Sequence, residues 1–275
     1  MKRFPFRQVD VFASEPTKGN ALAVVFDADA LSDAKMAVFA NWTNLSETVF
    51  LLEPTTSAAD YRVRIFTTEQ ELPFAGHPTI GSCHAWLEAG GRPRGTEIVQ
   101  ECGAGLVRIR RDGDRLAFAA PPLLRDGPVD EDLLGRIVEG LGVEREAIVA
   151  SAWVDNGPGW VAVMLRDRAD VLALVPDYTL LKGLRVGVVA PWGGDVDFEV
   201  RAFLPGDGMP EDPVTGSLNA GIAQWLIGAG IAPDRYVVSQ GTVLGRSGRV
   251  YVERIGADIW IGGNAITCIE GSAML

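Results

Sequence analysis

The chain has 275 residues, 47% of them hydrophobic and 22% charged, with a formal net charge of −11. That apolar fraction excludes an intrinsically disordered chain. The length is enough to bury a core without covalent staples, in one large domain or two small ones, and a pI near 4.7 lacks the basic footprint of a nucleic-acid binder.

The first residues, Met1–Phe12, contain neither an apolar leader core nor a small-residue cleavage site. Three cysteines, Cys83, Cys102 and Cys268, form no CxxC and leave one over if two pair. Both features lead to the expectation of a reducing, cytoplasmic setting. Period-2 runs rich in Val, Ile and Phe predict strands at Arg7–Phe12, Ala21–Phe26, Thr48–Leu52, Arg62–Thr67, Leu106–Arg111, Val161–Leu165, Glu199–Leu204, Tyr236–Ser239, Arg249–Arg254 and Asp258–Ile261. Helices are fewer. Ser32 caps Asp33–Asn41, Asp130 opens a helix to Leu141, and two more run over Thr79–Ala89 and Leu218–Ala229. The last two are apolar nearly all round, the signature of a buried helix. No run approaches the ~20 apolar residues of a membrane span; Leu218–Ile231 comes nearest, and Asn219 and Gln224 interrupt it.

The chain repeats itself once. Val63-Arg64-Ile65-Phe66 precedes Pro73-Phe74-Ala75-Gly76-His77 and a helix ending Trp86-Leu87. Val200-Arg201-Ala202-Phe203 precedes Pro213-Val214-Thr215-Gly216-Ser217 and a helix with Trp225-Leu226. The offset is 137 at the strand, 140 at the Pro-x-x-Gly and 139 at the Trp-Leu, and Gln100 is matched by Gln240. Each half therefore reads as a twisted sheet wrapped around one central helix, with Ala119–Pro122 and Arg125–Pro128 as the linker. Two related halves are expected to pack about a pseudo-twofold axis. The cleft on that axis, lined by equivalent turns, is the expected ligand site.

Both equivalent turns open a buried helix: Gly76-His77-Pro78-Thr79 in the first half, Thr215-Gly216-Ser217 in the second. Helix N-termini attract anions through free N–H groups and the dipole, so the turns either bind the carboxylate of a small acid or are ordinary caps. Asp212, beside the second turn, is either such a cap or a proton acceptor. Glu47 opens the apolar strand Val49–Leu52, where a partly desolvated carboxylate suits acid–base work; otherwise it is a surface strand end. His77 and His84, the two histidines, lie seven residues apart, too few ligands for a metal. His77 sits at the helix start and has the better claim to function. Gly206-Asp207-Gly208 is followed by no Gly-Lys-Ser/Thr, and there is no Rossmann fingerprint and no nucleophile elbow, so nothing predicts a nucleotide cofactor.

Together, Val9-Asp10-Val11-Phe12, Gly19-Asn20, Asn44-Leu45-Ser46-Glu47-Thr48-Val49-Phe50, Phe74-Ala75-Gly76-His77-Pro78-Thr79-Ile80-Gly81, Glu211-Asp212-Pro213-Val214-Thr215-Gly216-Ser217 and Ser239-Gln240-Gly241 resemble the PhzF-like phenazine-biosynthesis isomerase family, of the diaminopimelate-epimerase-like fold. The resemblance implies an α/β (α+β) fold of two alike domains, 1–118 plus 262–275 and 119–261, each a β-barrel-like sheet around a central helix. A last strand near Ala265–Ile269 would return to the first domain. It implies a homodimer with no metal and no organic cofactor. By the same resemblance Glu47 is the acid–base residue, with His77 and Asp212 around the substrate. Ser46, Gly76, Thr215, Gly216 and Ser217 would then bind the substrate carboxylate. Diaminopimelate epimerases place a cysteine in each equivalent turn, whereas this chain has Ala75 and Asp212, which argues against a two-thiol racemase.

The implied reaction is a cofactor-independent isomerisation that moves a proton next to the carboxylate of a small acid, cyclic or not. One alternative is a catalytically silent small-molecule-binding or interaction protein of the same fold. Another is an amino-acid epimerase using Glu47 and Asp212 as paired carboxylates.

Overall fold

The computed structural model describes residues 1–206 and 209–275, so Asp207 and Gly208 of the glycine-rich loop lie outside the described residues. The chain divides into two compact units, Met1–Ala119 with Gly262–Leu275, and Ala120–Ile261. In chain order the first unit contains β1 (Arg3–Val11), β2 (Asn20–Val25), α1 (Asp33–Thr43), β3 (Glu47–Leu52), β4 (Tyr61–Phe66), β5 (Glu71–Leu72), α2 (Gly76–Glu88), β6 (Ile98–Cys102), β7 (Gly105–Asp112) and β8 (Arg115–Ala119). The second contains β9 (Arg125–Gly127), α3 (Glu131–Leu141), β10 (Ala150–Asp155), β11 (Trp160–Met164), α4 (Arg168–Ala173), β12 (Arg185–Pro191), β13 (Phe198–Phe203), β14 (Glu211–Asp212), α5 (Gly216–Gly228), β15 (Arg235–Gln240), β16 (Gly248–Ile255) and β17 (Asp258–Gly263). Finally β18 (Ala265–Met274) returns to the first unit and pairs antiparallel with β1.

The duplication is visible strand by strand. In the first unit β1 pairs antiparallel with β2, β2 parallel with β3, β3 antiparallel with β4, β4 parallel with β6, and β6 antiparallel with β7. The second unit repeats that order with β10, β11, β12, β13, β15 and β16. Each parallel pair needs a crossover connection. In both units the first crossover carries a short helix (α1, α4) and the second carries the long apolar one (α2, α5).

The long helices are buried because their sequences leave no polar face. Gly76 through Cys83 of α2 are all buried, and its neighbours are β1, β2, β3, β8 and β18. A glycine in each helix permits the close approach. A Cβ on Gly81 would lie 2.6 Å from Leu22 Cδ2, and one on Gly221 would lie 2.2 Å from the Val154 carbonyl oxygen. These glycines are 140 positions apart and play the same part. The opposite sheet faces are covered by α1 in the first unit, with Met36 and Phe39 against Phe50 and Phe66, and by α3 in the second, with Leu134 and Ile137 against Val163 and Val188.

All ten predicted strands and four predicted helices are present, with shifted ends. Ser32 and Asp130 cap α1 and α3, their side chains accepting from the amides of Lys35 and Leu133. The two central helices begin at Gly76 and Gly216, earlier than Thr79 and Leu218, so the glycine turns are first helical turns. The sequence reading missed β6 and β10, whose buried residues do alternate, and β12, whose two-sided burial hides any alternation, along with the very short β5, β9, β14 and α4. The β1 strand also extends back to Arg3, where Phe4 and Pro5 pair with Ala273 and Ser272 of β18, a partner 268 or so residues away that no local pattern announces.

Candidate active site

In the first unit the site is built where β2, β3 and α2 begin. Asn44, the C-cap of α1, takes the left-handed conformation (φ 55°), which Asn tolerates better than most residues. The chain thus turns through Ser46 directly into β3, with Glu47 as its first residue. Asn20 opens β2 after a loop held by the buried Asp10, whose Oδ2 accepts from the amides of Lys18 (2.7 Å) and Gly19 (2.9 Å). A side chain on Gly19 would strike the Val11 carbonyl, so glycine is a steric requirement at this point of the loop.

His77, in the first turn of α2, joins the two strands. Its Nδ1 lies 3.4 Å from Asn20 Nδ2 and its Nε2 lies 3.4 Å from Glu47 Oε2. The imidazole is 4% exposed, and burial pulls it down to about 3. It is therefore neutral at pH 7, and its approach to Glu47 is a contact between a neutral ring and a carboxyl rather than an ion pair. With Nδ1 accepting from the Asn20 amide, the ring proton sits on Nε2, which lies beside Glu47 Oε2 but outside hydrogen-bonding geometry. Glu47 itself is mostly buried, its side chain 16% exposed.

The second unit contains the corresponding turn with different side chains. Ser217, 140 positions after His77, accepts a hydrogen bond on Oγ from Trp160 Nε1 (3.0 Å), and its carbonyl accepts from Asn156 Nδ2 (2.8 Å). Trp160 opens β11 as Asn20 opens β2, so one repeat position serves the helix start in both units. The loop before Trp160 is also pinned by a carboxylate, Asp155 Oδ1 accepting from the amides of Gly157 and Gly159. The indole can only donate, so the Ser217 hydroxyl proton points to some other acceptor.

Asp212 is not a helix cap. It lies on β14, and its Oδ2 accepts from the Thr215 hydroxyl at 2.6 Å. Neither Ala75 nor Thr215, the residues preceding the two helices, closes its helix with a side-chain cap, so the ordinary-capping reading of both turns falls. By position Thr215, not Asp212, is the counterpart of Ala75. Gln100 and Gln240, the matched pair, are buried behind the two turns. Gln100 bonds to Tyr61, Ser82 and Thr79; Gln240 bonds to Thr215 and Asn219.

Sequence reasoning missed a repeated ion pair that anchors each turn. Arg64 grips Glu71 through two hydrogen bonds, and Arg201 grips Glu211 the same way, both at 2.8 Å. The available signal was an Arg in the repeated Val-Arg-x-Phe with a Glu before each turn. It also missed Asn20, Trp160 and Asn156 as partners of the helix starts. His84 stands apart from the site, near Glu88 and Thr267. All three cysteines are free thiols. Cys83 is buried on α2, and burial pushes its thiol up to about 12, unfit for a nucleophile. Among the described residues no group of three or more His, Cys, Asp or Glu is arranged to hold a metal ion, and no helix is long and apolar enough to cross a membrane.

Comparison with known proteins places this chain in a family. The sequence pattern described as phenazine biosynthesis-like protein matches residues 9–271. Antisense-enhancing sequence 1 of Schizosaccharomyces pombe is 36% identical, with 100% of both chains covered. The trans-2,3-dihydro-3-hydroxyanthranilate isomerase of Pseudomonas aeruginosa is 33% identical over 97% of this chain and 98% of that protein. Among solved structures, a phenazine biosynthesis protein of the PhzF family from Enterococcus faecalis superposes with a TM-score of 0.83 at 27% identity, covering 100% of each chain.

Proposed function

The chain belongs to the phenazine-biosynthesis-like (PhzF) family of isomerases, and from that premise we propose that it moves a proton on a carbon next to the carboxylate of a small acid, with Glu47 as the acid–base residue. The observation that carries the reading is the mostly buried Glu47 held 3.4 Å from a neutral imidazole. A carboxylate in that setting accepts a proton in a poorly solvated place and keeps it for return. His77 packs its neutral ring against the carboxylate and keeps water from it. The helix starts at Gly76 and at Gly216-Ser217 offer N–H dipoles to the substrate carboxylate and to charge that develops on proton removal, with Ser46 and Ser217 as further donors. Asp212 and Thr215 of the second unit complete the proposed set.

The duplication argues against a symmetric two-base epimerase. By the pairing of β3 with β4 and of β12 with β13, Phe50 faces Arg64 as Val188 faces Arg201, so the counterpart of Glu47 is Arg185, the first residue of β12. The second unit thus carries a cation rather than a second carboxylate at that position, which supports a single base for both proton removal and proton return.

The substrate of the Pseudomonas relative, trans-2,3-dihydro-3-hydroxyanthranilate, is the first acid to offer in D2O, together with a panel of small cyclic and acyclic amino and hydroxy acids. Expected is deuterium in the product. Glu47→Gln is expected to keep the fold and lower exchange at least about a hundredfold. Full exchange by that variant would remove Glu47 from the mechanism. Ligand binding without exchange by the parent protein would favour the silent binding reading, and inverted stereochemistry without a shifted double bond the epimerase.

A further inference from the structure

We propose that Thr215 and Gln240 are positioning residues for Asp212, with Gln240 setting the direction of the Thr215 hydroxyl so that its one proton is committed to Asp212. The inference rests on the proposed role of Asp212 at the substrate; the hydrogen bonds themselves do not.

The orientation of the Gln240 amide is decided by its partners. Its Oε1 lies 3.0 Å from the Thr215 amide nitrogen and 2.8 Å from Asn219 Nδ2, both donors. Asn219 Nδ2 is identified in turn by its 2.9 Å bond to the Thr215 carbonyl. The Gln240 nitrogen lies 3.1 Å from the Asp212 carbonyl oxygen, an acceptor, and 2.9 Å from Thr215 Oγ1. Flipping the amide would set an oxygen against that carbonyl and a nitrogen against the Thr215 N–H. Gln240 is fully buried and Asn219 is 1% exposed, so water does not compete for these groups. Thr215 Oγ1 therefore accepts from Gln240, and its own proton has Asp212 Oδ2, 2.6 Å away, as its acceptor. A short hydrogen bond to a carboxylate is among the stronger neutral-donor bonds and fixes the rotation of the acceptor.

The first unit serves as an internal control. It keeps the buried glutamine as Gln100, and Thr79, the counterpart of Asn219, makes the same bond to the carbonyl of the residue before the helix, Ala75, at 2.9 Å. There the Thr215 position is Ala75 and the Asp212 position is Leu72. The turn closes and the helix starts without a hydroxyl. The hydroxyl occurs in the unit that has a carboxylate to receive it, so beyond its bond from Gln240 its service is to Asp212.

The test is solvent-deuterium exchange into trans-2,3-dihydro-3-hydroxyanthranilate by Thr215→Val, Thr215→Ser, Asp212→Asn and the Val/Asn double variant. Thr215→Val is expected to lower kcat about tenfold with KM changed less than twofold, and Thr215→Ser to restore kcat to within about threefold of the parent. In the Asp212→Asn background Thr215→Val is expected to change kcat less than twofold, because its effect passes through Asp212. A full, additive loss in the double variant, or no loss in Thr215→Val, would overturn the proposal. A readout independent of turnover is the Gln240 side-chain amide in 15N-glutamine-labelled protein. Slowly exchanging amide protons that shift in both Thr215→Val and Asp212→Asn are expected; a resonance indifferent to Asp212→Asn would break the chain. If the parent exchanges no proton with any acid offered, the proposed function fails, and the amide resonances alone decide this inference.

Discussion

His77 is where burial changes a residue's chemistry most. Its imidazole falls from an ordinary 6.5 to about 3 because no solvent is there to hydrate the cation. Below pH 6.5 the unfolded chain takes up a proton that the folded chain refuses until about pH 3. Stability is thus complete above 6.5 and is lost as pH falls toward 3, at up to about 1.4 kcal/mol per pH unit. His77→Gln should flatten the acid side of a plot of urea-unfolding free energy against pH; an unchanged slope would mean that another group carries it. Both histidines were visible in the sequence, and the helix-start position singled out His77. Its neutrality was not visible, because it depends on burial that only the packed strands around α2 supply.

Among the secondary-structure elements, the central helices and the strand pairs before them decide where the site residues go. In α5, Gly221→Ala would press a methyl group against the Val154 carbonyl, so a cost of about 1–3 kcal/mol and a lowered Tm are expected. A silent substitution would show that α5 can slide. The repeated Arg–Glu pair gives a matched comparison. Arg201 and Glu211 have side chains 3% and 6% exposed, whereas Arg64 and Glu71 are 24% and 41% exposed. Arg201→Met leaves a buried carboxylate without its partner and is expected to cost about 3–5 kcal/mol. Arg64→Met, in the same repeat position, should cost no more than about 1 kcal/mol. Equilibrium denaturation of the two variants checks the contrast, and equal losses would show that solvent exposure is not what separates them. Both pairs were legible as repeated letters. Their burial was not, since α4 and its following loop cover one pair, with Arg201 donating to the carbonyls of Val171 and Leu174, and those segments carry no repeat signature.

Over the whole molecule, the first unit is discontinuous: β18 crosses back to lie against β1 along nine of its residues. Deleting 265–275 should therefore unprotect β1 and β2 in hydrogen exchange while the amides of β12, β13 and β15 stay protected. Loss of protection in the second unit as well would show that the two unfold together. The sequence by itself determined the class of fold, the duplication, the buried helices and the candidate residues Glu47, His77 and Asp212, because hydrophobic period, turn chemistry and repeated motifs are local or recur at a constant offset. Tertiary structure alone decided which side chains meet. It set a neutral His77 beside Glu47, made Asp212 the acceptor of the Thr215 hydroxyl, and put Arg185 at the strand position that corresponds to Glu47. Those outcomes depend on which side chains meet after the strands pair, and burial and hydrogen-bond direction exist only once they have met.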